Sequence, residues 1–328
     1  MIKLSRNTLL LFKIIVAFAA YGFVFVKLYG QLNEGFIKAF INVDALSNWY
    51  YLVFVILLMP VSWAFEAIKW QLAFDNESRP TFFYALKTIW YGVAVGLFTP
   101  NRTGEPIGRM AMVSQEVRAK AGFLAVLCGM TQQLATLFFG FVGVAFFIGI
   151  SNDGLSGVIY NPWIISLLVL VTIVVLLLVF KFGVVSKIIS KSKILKPILN
   201  GESIVFSFSY IRIVVLVFLS FIRYAVFSTQ LVILIFYFGF NGSIFFAYAA
   251  VFATYLFASV IPSFAIGEAG VRAGFAILFI GTIWNNPVGI ASATLLLWLL
   301  NVALPGLIAV WFPVFKGDKN EKQGENNF

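Results

Sequence analysis

Eight runs of apolar residues, at 9–29, 49–74, 82–100, 121–150, 162–182, 211–238, 243–262 and 288–314, divide the chain. Most exceed the ~20 residues that a helix needs to cross the hydrocarbon of a bilayer. Lipid offers a backbone no water to bond, so a spanning run must close its hydrogen bonds within itself, as a helix does. The fold class this dictates is an all-α polytopic integral membrane protein. Composition agrees: 61% of residues are apolar and 11% charged, against about 25% charged in an ordinary soluble domain. Ala17-Phe18-Ala19 in the first run has the small-residue spacing of a signal-peptide cleavage site. Lys13 interrupts that run, however, and it continues to Tyr29, so it reads as a first helix.

The sequence has no histidine and a single cysteine, Cys128, inside an apolar run. Ser/His proteolysis, His-dependent acyl transfer, His-based phosphatase chemistry and His-ligated metal sites all lack their residue. An intrachain disulfide or a thiolate cluster is equally unavailable, so no cofactor and no metal are expected. The net charge of +10 is placed at Lys3 and Arg6, between Lys181 and Lys196, and at Lys316, Lys319 and Lys322. Those positions flank apolar runs as cytoplasmic segments do, so the charge reads as topology first, with anionic-lipid affinity second and no nucleic-acid role. Between Gly183 and Ser207, Lys187, Lys191, Lys193 and Lys196 alternate with isoleucine and leucine. This stretch reads as an amphipathic helix on the inner leaflet or as a basic cytoplasmic loop.

Both termini are therefore expected in the cytoplasm. The 151–161 loop, with Asp153 and no lysine or arginine, is expected outside. An inside terminus and an outside loop require an odd number of crossings, yet four runs lie between them, and the second half poses the same problem. A repeated motif offers a solution. Thr99-Pro100 leads to Gly104-Glu105 and Arg109, while Ile261-Pro262 leads to Gly267-Glu268 and Arg272. The two glutamates are 163 residues apart, as are the two arginines. The same displacement superposes runs 49–74 and 211–238, 82–100 and 243–262, and 121–150 and 288–314.

Two inverted repeats are thus expected, 1–157 and 158–315, each with three full spans and one re-entrant helical hairpin. The hairpins fall at about 82–117 and 243–281, and a polar cytoplasmic tail follows at 316–328. Pro100, Gly104, Pro262 and Gly267 are the expected tips, since proline and glycine permit a break in the helix. Glycines at i, i+4 spacing (Gly92/Gly96, Gly104/Gly108, Gly270/Gly274) are expected to let the arms approach closely. The alternative is that the helices are simply long and kinked here.

Glu105/Arg109 and Glu268/Arg272 each lie four residues apart on one helical face. A charge at membrane depth costs ~2.5–3.5 kcal/mol even on the lenient insertion scale, so it calls for a reason. One reason is mutual neutralisation that pins the hairpin. The other is a ligand phosphate, which guanidinium matches bidentately. Arg223 in the sixth run and Arg102 at the first tip add further cations. The expected substrate-binding set is Arg102, Glu105, Arg109, Arg223, Glu268 and Arg272, an excess of positive charge that suits an anionic headgroup. Gln132, Gln133 and Asn301 are expected to make polar contacts between helices. Glu66 and Lys69 are expected to pair or snorkel near the cytoplasmic end of the second helix.

On Thr99-Pro100, Gly104-Glu105, Arg109, Pro262, Gly267-Glu268 and Arg272, with Lys69-Trp70 ending the second helix, the chain resembles the lysylphosphatidylglycerol synthase transmembrane-region (flippase-like) family. The resemblance covers about residues 5–315. It departs at Ile266-Gly267, where family members often carry a more glycine-rich motif with arginine directly before the glutamate. It implies residence in the inner membrane of a prokaryote and movement of lipid across it, in some members aminoacylated phosphatidylglycerol made by a fused soluble synthase. Only the polar stretch 316–328 follows the last run, so synthesis of the aminoacylated lipid is not expected.

The leading expectation is a lipid translocase acting on an anionic phospholipid or a polyprenyl-phosphate lipid. The alternatives are a membrane-embedded transferase for lipid-linked substrates and a non-transporting partner of a lipid-synthesis enzyme. The lipid, the direction, the energy source and the oligomeric state are left open.

Overall fold

The computed structural model describes residues 45–99, 102–148, 162–190, 209–260 and 265–312, with helices and no strand among them. The first apolar run, the 151–161 loop, the stretch 191–208 and the tail lie outside the described residues. The helices are α1 (Ala45–Ala73), α2 (Phe82–Gly96), α3 (Glu105–Ala111) and α4 (Arg118–Ile148). After these come α5 (Pro162–Phe180), α6 (Phe182–Ser190), α7 (Tyr210–Tyr237), α8 (Ile244–Val260) and α9 (Ala265–Ile280). Last, α10 (Pro287–Trp298) runs through the π-helical segment Leu299–Ala303 into α11 (Leu304–Ala309).

Among the described residues four helices are long and apolar enough to cross a membrane: α1, α4, α7 and the continuous α10–α11. A fifth is α5 if it is counted with α6, from which it is bent by 83°. Trp163, Leu167, Leu170, Ile173, Val174 and Leu177 leave α5 apolar and exposed nearly all round, as suits a helix against lipid. With 15 and 17 residues, α2 and α8 reach about 22 and 26 Å at the helical rise, short of the ~30 Å hydrocarbon.

The π segment has a cause in sequence. Pro305 has no N–H for the Asn301 carbonyl, and its ring would strike that carbonyl in a regular α-helix. The turn before it widens instead, a form often found at functional sites, and buried Asn301 sits in the widened turn.

Displaced by 163 residues, α1 falls on α7, α2 on α8, α3 on α9, and α4 on α10–α11. The packing repeats in the same way. Helix α2 packs on α3 as α8 packs on α9, and α3 packs on α4 as α9 packs on α10. Likewise α4 packs on α8 as α11 packs on α2, while α1 and α7 lie against each other. Lipid tails are as apolar as leucine, so close side-chain fit and polar contacts must hold such helices together.

The two halves nevertheless differ where the helix pairs meet. A Cβ added at Gly108 would lie 2.7 Å from the Gly92 Cα and 2.9 Å from the Tyr91 carbonyl oxygen. The α2/α3 pair is therefore in backbone contact, as its glycines suggested. The corresponding residues of α8/α9 are Tyr255 and Val271, too large for that approach. Gly274 has nothing within 4 Å of an added Cβ, so the close packing expected of Gly274 does not occur. The returning arms differ too: α3 is helical for only seven residues, while α9 runs for sixteen. The Tyr84 hydroxyl bonds the Met112 carbonyl where α3 ends. Gly108→Ala is expected to lower stability by about 1–3 kcal/mol, the usual cost of overpacking against backbone, read as a lower melting temperature in detergent. Gly274→Ala, with open space around it, is the control expected to melt like the wild type.

Candidate functional site

Three carboxylates are drawn inward among the described helices, and each is shared between cations. Glu66 on α1 is 3% exposed and Lys69, one turn on, 1%. The Glu66 carboxylate lies 2.7 Å from Lys69 Nζ, 3.0 Å from Arg109 Nη2 and 3.5 Å from Arg223 Nη1. Lys69 also donates to the Cys128 carbonyl and to Ser220 Oγ, both at 3.2 Å, and Ser220 Oγ meets Thr131 Oγ1 at 3.0 Å. The Arg109 guanidinium lies over the Trp70 ring at 4.9 Å, and that of Arg223 over Trp63 at 5.2 Å. Trp63, Glu66 and Trp70 lie three and four residues apart, one stripe along α1. Pairing and hydrogen bonding are what make buried charges tolerable. The expectation that Glu66 and Lys69 pair or snorkel at the helix end is corrected in part: they do pair, but at the centre of a buried network. Their charge can be held there because Arg109 and Arg223 arrive from two other helices.

This network separates the two motif arginines. Arg109 is 3.7 Å from Glu105, its own i, i+4 partner, and 3.0 Å from Glu66. Arg272 keeps its i, i+4 partner, with Nη2 2.5 Å from Glu268 Oε1. The residue equivalent to Glu66 in the second half is Thr229, so nothing acidic on α7 competes for Arg272. Gly92 leaves room for Arg109, whose Cγ would be 2.8 Å from a Cβ there, whereas Tyr255 occupies the matching place beside α9.

Arg102 links the halves. Its backbone has φ +56°, in the left-handed region, a conformation that costs a non-glycine residue about 1–3 kcal/mol. Its guanidinium reaches Glu105 Oε1 at 3.3 Å through Nη1 and Glu268 Oε2 at 3.2 Å through Nε. Among the described residues this is the ion pair that ties α2/α3 to α8/α9. The equivalent of Arg102 in the second half is Ala265, so the tie has no mirror image. Behind it the Gly104 N–H donates to Thr99 Oγ1 at 2.7 Å and closes the turn into α3.

Beside the tie lies a cavity of about 360 Å³, within the range of small-molecule sites. Arg102, Arg223, Arg272 and Glu268 line it, with Gln132, Gln133, Ser259 and Asn301 as neutral polar groups and Trp63, Phe227 and Tyr255 as aromatic walls. Four of the six expected binding residues are therefore brought together. Glu105 stands behind Arg102 without lining the cavity, and Arg109 is withdrawn to Glu66. Gly267 lies in the first turn of α9 just before Glu268, while Pro100 and Pro262 fall outside the described residues. The expected glutamine contacts form: Gln132 accepts from Arg223 at 3.0 Å, and Gln133 donates to Ser259 at 3.1 Å. Asn301 instead donates back to the Leu297 carbonyl of its own helix at 3.4 Å. Trp63, Phe227, Tyr255 and Ser259 were not anticipated, because apolar runs are full of such residues and only packing selects the few that meet.

Just beyond the end of α1, Asp75 is gripped by Lys120 at 2.5 Å and Arg212 at 2.9 Å, from the first turns of α4 and α7. Their hydrogen bonds hold its carboxyl below the usual aspartate range. This exposed cluster joins the α1–α2 connection to the starts of α4 and α7, away from the cavity.

No family model matches the chain, and no curated protein or solved structure matches it.

Proposed function

We propose that the chain is a flippase-like lipid translocase that moves an anionic phospholipid or a polyprenyl-phosphate lipid across the membrane. One observation carries this reading. Three arginines face a single carboxylate in a cavity walled by helices whose outer faces are apolar. Such a cavity suits a phosphate headgroup while acyl chains remain in lipid, and guanidinium is the side chain best fitted to phosphate. The motif resemblance to the lysylphosphatidylglycerol synthase transmembrane region supports the same reading. So does the rule that ionisable residues at membrane depth mark substrate pathways.

In this reading the two halves are inverted repeats, and the short pairs α2/α3 and α8/α9 are re-entrant hairpins with both termini in the cytoplasm. The membrane is the inner membrane of a prokaryote. The glycine-packed α2/α3 pair is the fixed side and the looser α8/α9 pair the moving one. Phosphate entering the cavity draws Arg102 away from Glu268, releases the tie, and lets the second hairpin shift to expose the site on the other face. The test is reconstitution of the purified protein into liposomes with labelled phospholipids and polyprenyl phosphates. Anionic lipid is expected to change leaflet faster than in protein-free vesicles. Equal rates with and without protein across that panel would sink the proposal.

A further inference from the structure

The cavity also discriminates by the kind of headgroup, through what its polar groups have left to offer. Every carboxylate near it is already occupied. Glu268 gives Oε1 to Arg272 and Oε2 to Arg102. Glu105 faces Arg102 and Arg109, and Glu66 faces Lys69, Arg109 and Arg223. The unused groups are of another type. Arg102 Nη2, Arg223 Nε, Trp63 Nε1 and Tyr255 Oη are buried without a hydrogen-bond partner. Trp63 is 4% and Tyr255 7% exposed, and all four residues line the cavity. Buried unsatisfied donors are uncommon in a folded protein and call for a partner. The first three can only donate; the tyrosine hydroxyl can donate or accept.

We propose that the headgroup this cavity takes is a phosphate ester bearing hydroxyls, such as a phosphoglycerol or sugar phosphate, and that headgroups bearing an ammonium are rejected. The inference rests on the reading of the cavity as a lipid headgroup site. A phosphodiester brings acceptors alone, which the guanidinium and indole N–H groups match. Hydroxyls both donate and accept, as do the amides of Gln132 and Gln133 and the Tyr255 hydroxyl. An ammonium brings three donors and no acceptor. It would meet unpaired donors, find each carboxylate facing a cation, and sit in a lining whose three arginines and one glutamate leave it at +2. Like charges brought together in this way are a strong device of specificity.

The experiment uses the full chain with phosphatidylglycerol, its lysyl ester and phosphatidylethanolamine. Binding in detergent is read by tryptophan fluorescence, with Trp63→Phe assigning the signal to the cavity, and transport is read in phosphatidylcholine vesicles. Phosphatidylglycerol is expected to bind at least about tenfold more tightly than either amine-bearing lipid and to be transported in the same order. Equal or tighter binding of the lysyl ester overturns the inference whatever the transport rates. Preferential binding of phosphatidylglycerol without movement of any lipid upholds the headgroup class and overturns the translocase reading instead. Free glycerol 3-phosphate is the last arm. Binding as tight as that of the lipid upholds the headgroup chemistry but overturns its lipid source.

Discussion

Glu66→Gln destabilises the folded protein by about 3–5 kcal/mol, the cost of breaking a buried ion pair and leaving its partners unpaired. The substitution keeps the shape of the side chain and removes one negative charge. That charge is shared by Lys69, Arg109 and Arg223, so three cations on three helices lose it together. Lys69 is worst placed: at 1% exposure it retains only two neutral acceptors, the Cys128 carbonyl and Ser220 Oγ. The measurement is unfolding in mixed micelles, followed by helical circular dichroism. Adding Lys69→Met should recover part of the loss, because it removes the most deeply buried unpaired cation, and a double-mutant cycle isolates that coupling. A Glu66→Gln protein that unfolds at the wild-type midpoint would show that the network does not hold α1, α3 and α7 together.

On the proposed translocase reading, Glu268→Gln is expected to tighten binding of an anionic headgroup while slowing transport by at least about tenfold. Neutralising Glu268 takes the lining from +2 to +3 and frees both Arg102 and Arg272 to meet a phosphate. The same change removes the ion pair between α2/α3 and α8/α9 and leaves no carboxylate to reclaim the arginines when the lipid departs. A ligand held more strongly by one state of a two-state device stalls it there. Arg102→Ala cuts the same tie but subtracts a cation, so binding should weaken along with transport. The contrast separates tie from ligand site. Were both variants to transport at the wild-type rate, the Arg102–Glu268 pair would have no part in the cycle.

Much of the candidate site was legible before any packing was known. The motifs at Glu105/Arg109 and Glu268/Arg272, with Arg102 and Arg223, stood out because charge at membrane depth is expensive and rare. What misled was symmetry. Equal motifs suggested equal roles, yet Arg272 faces the cavity and Arg109 does not. The reason lies outside the motifs, in Glu66 against Thr229 on the companion helices and in Gly92 against Tyr255 on the preceding ones. Glu66 itself stands on a stripe with Trp63 and Trp70, a sequence signal of an inward face that outweighs its nearness to the helix end.

What the sequence determined by itself follows from local rules. Lipid forbids an unbonded backbone, so apolar runs of this length must be helices. A displacement of 163 residues that aligns runs and charges together points to two related halves, and the packing of α1–α4 and α7–α11 follows that order. The tertiary structure alone decided which charges meet. Glu66 and Arg223 come from opposite halves of the sequence, as do Arg102 and Glu268, and no spacing rule joins residues that far apart. Their pairing depends on how closely helices approach, and for Arg109 that approach needs the missing Cβ of Gly92 and Gly108.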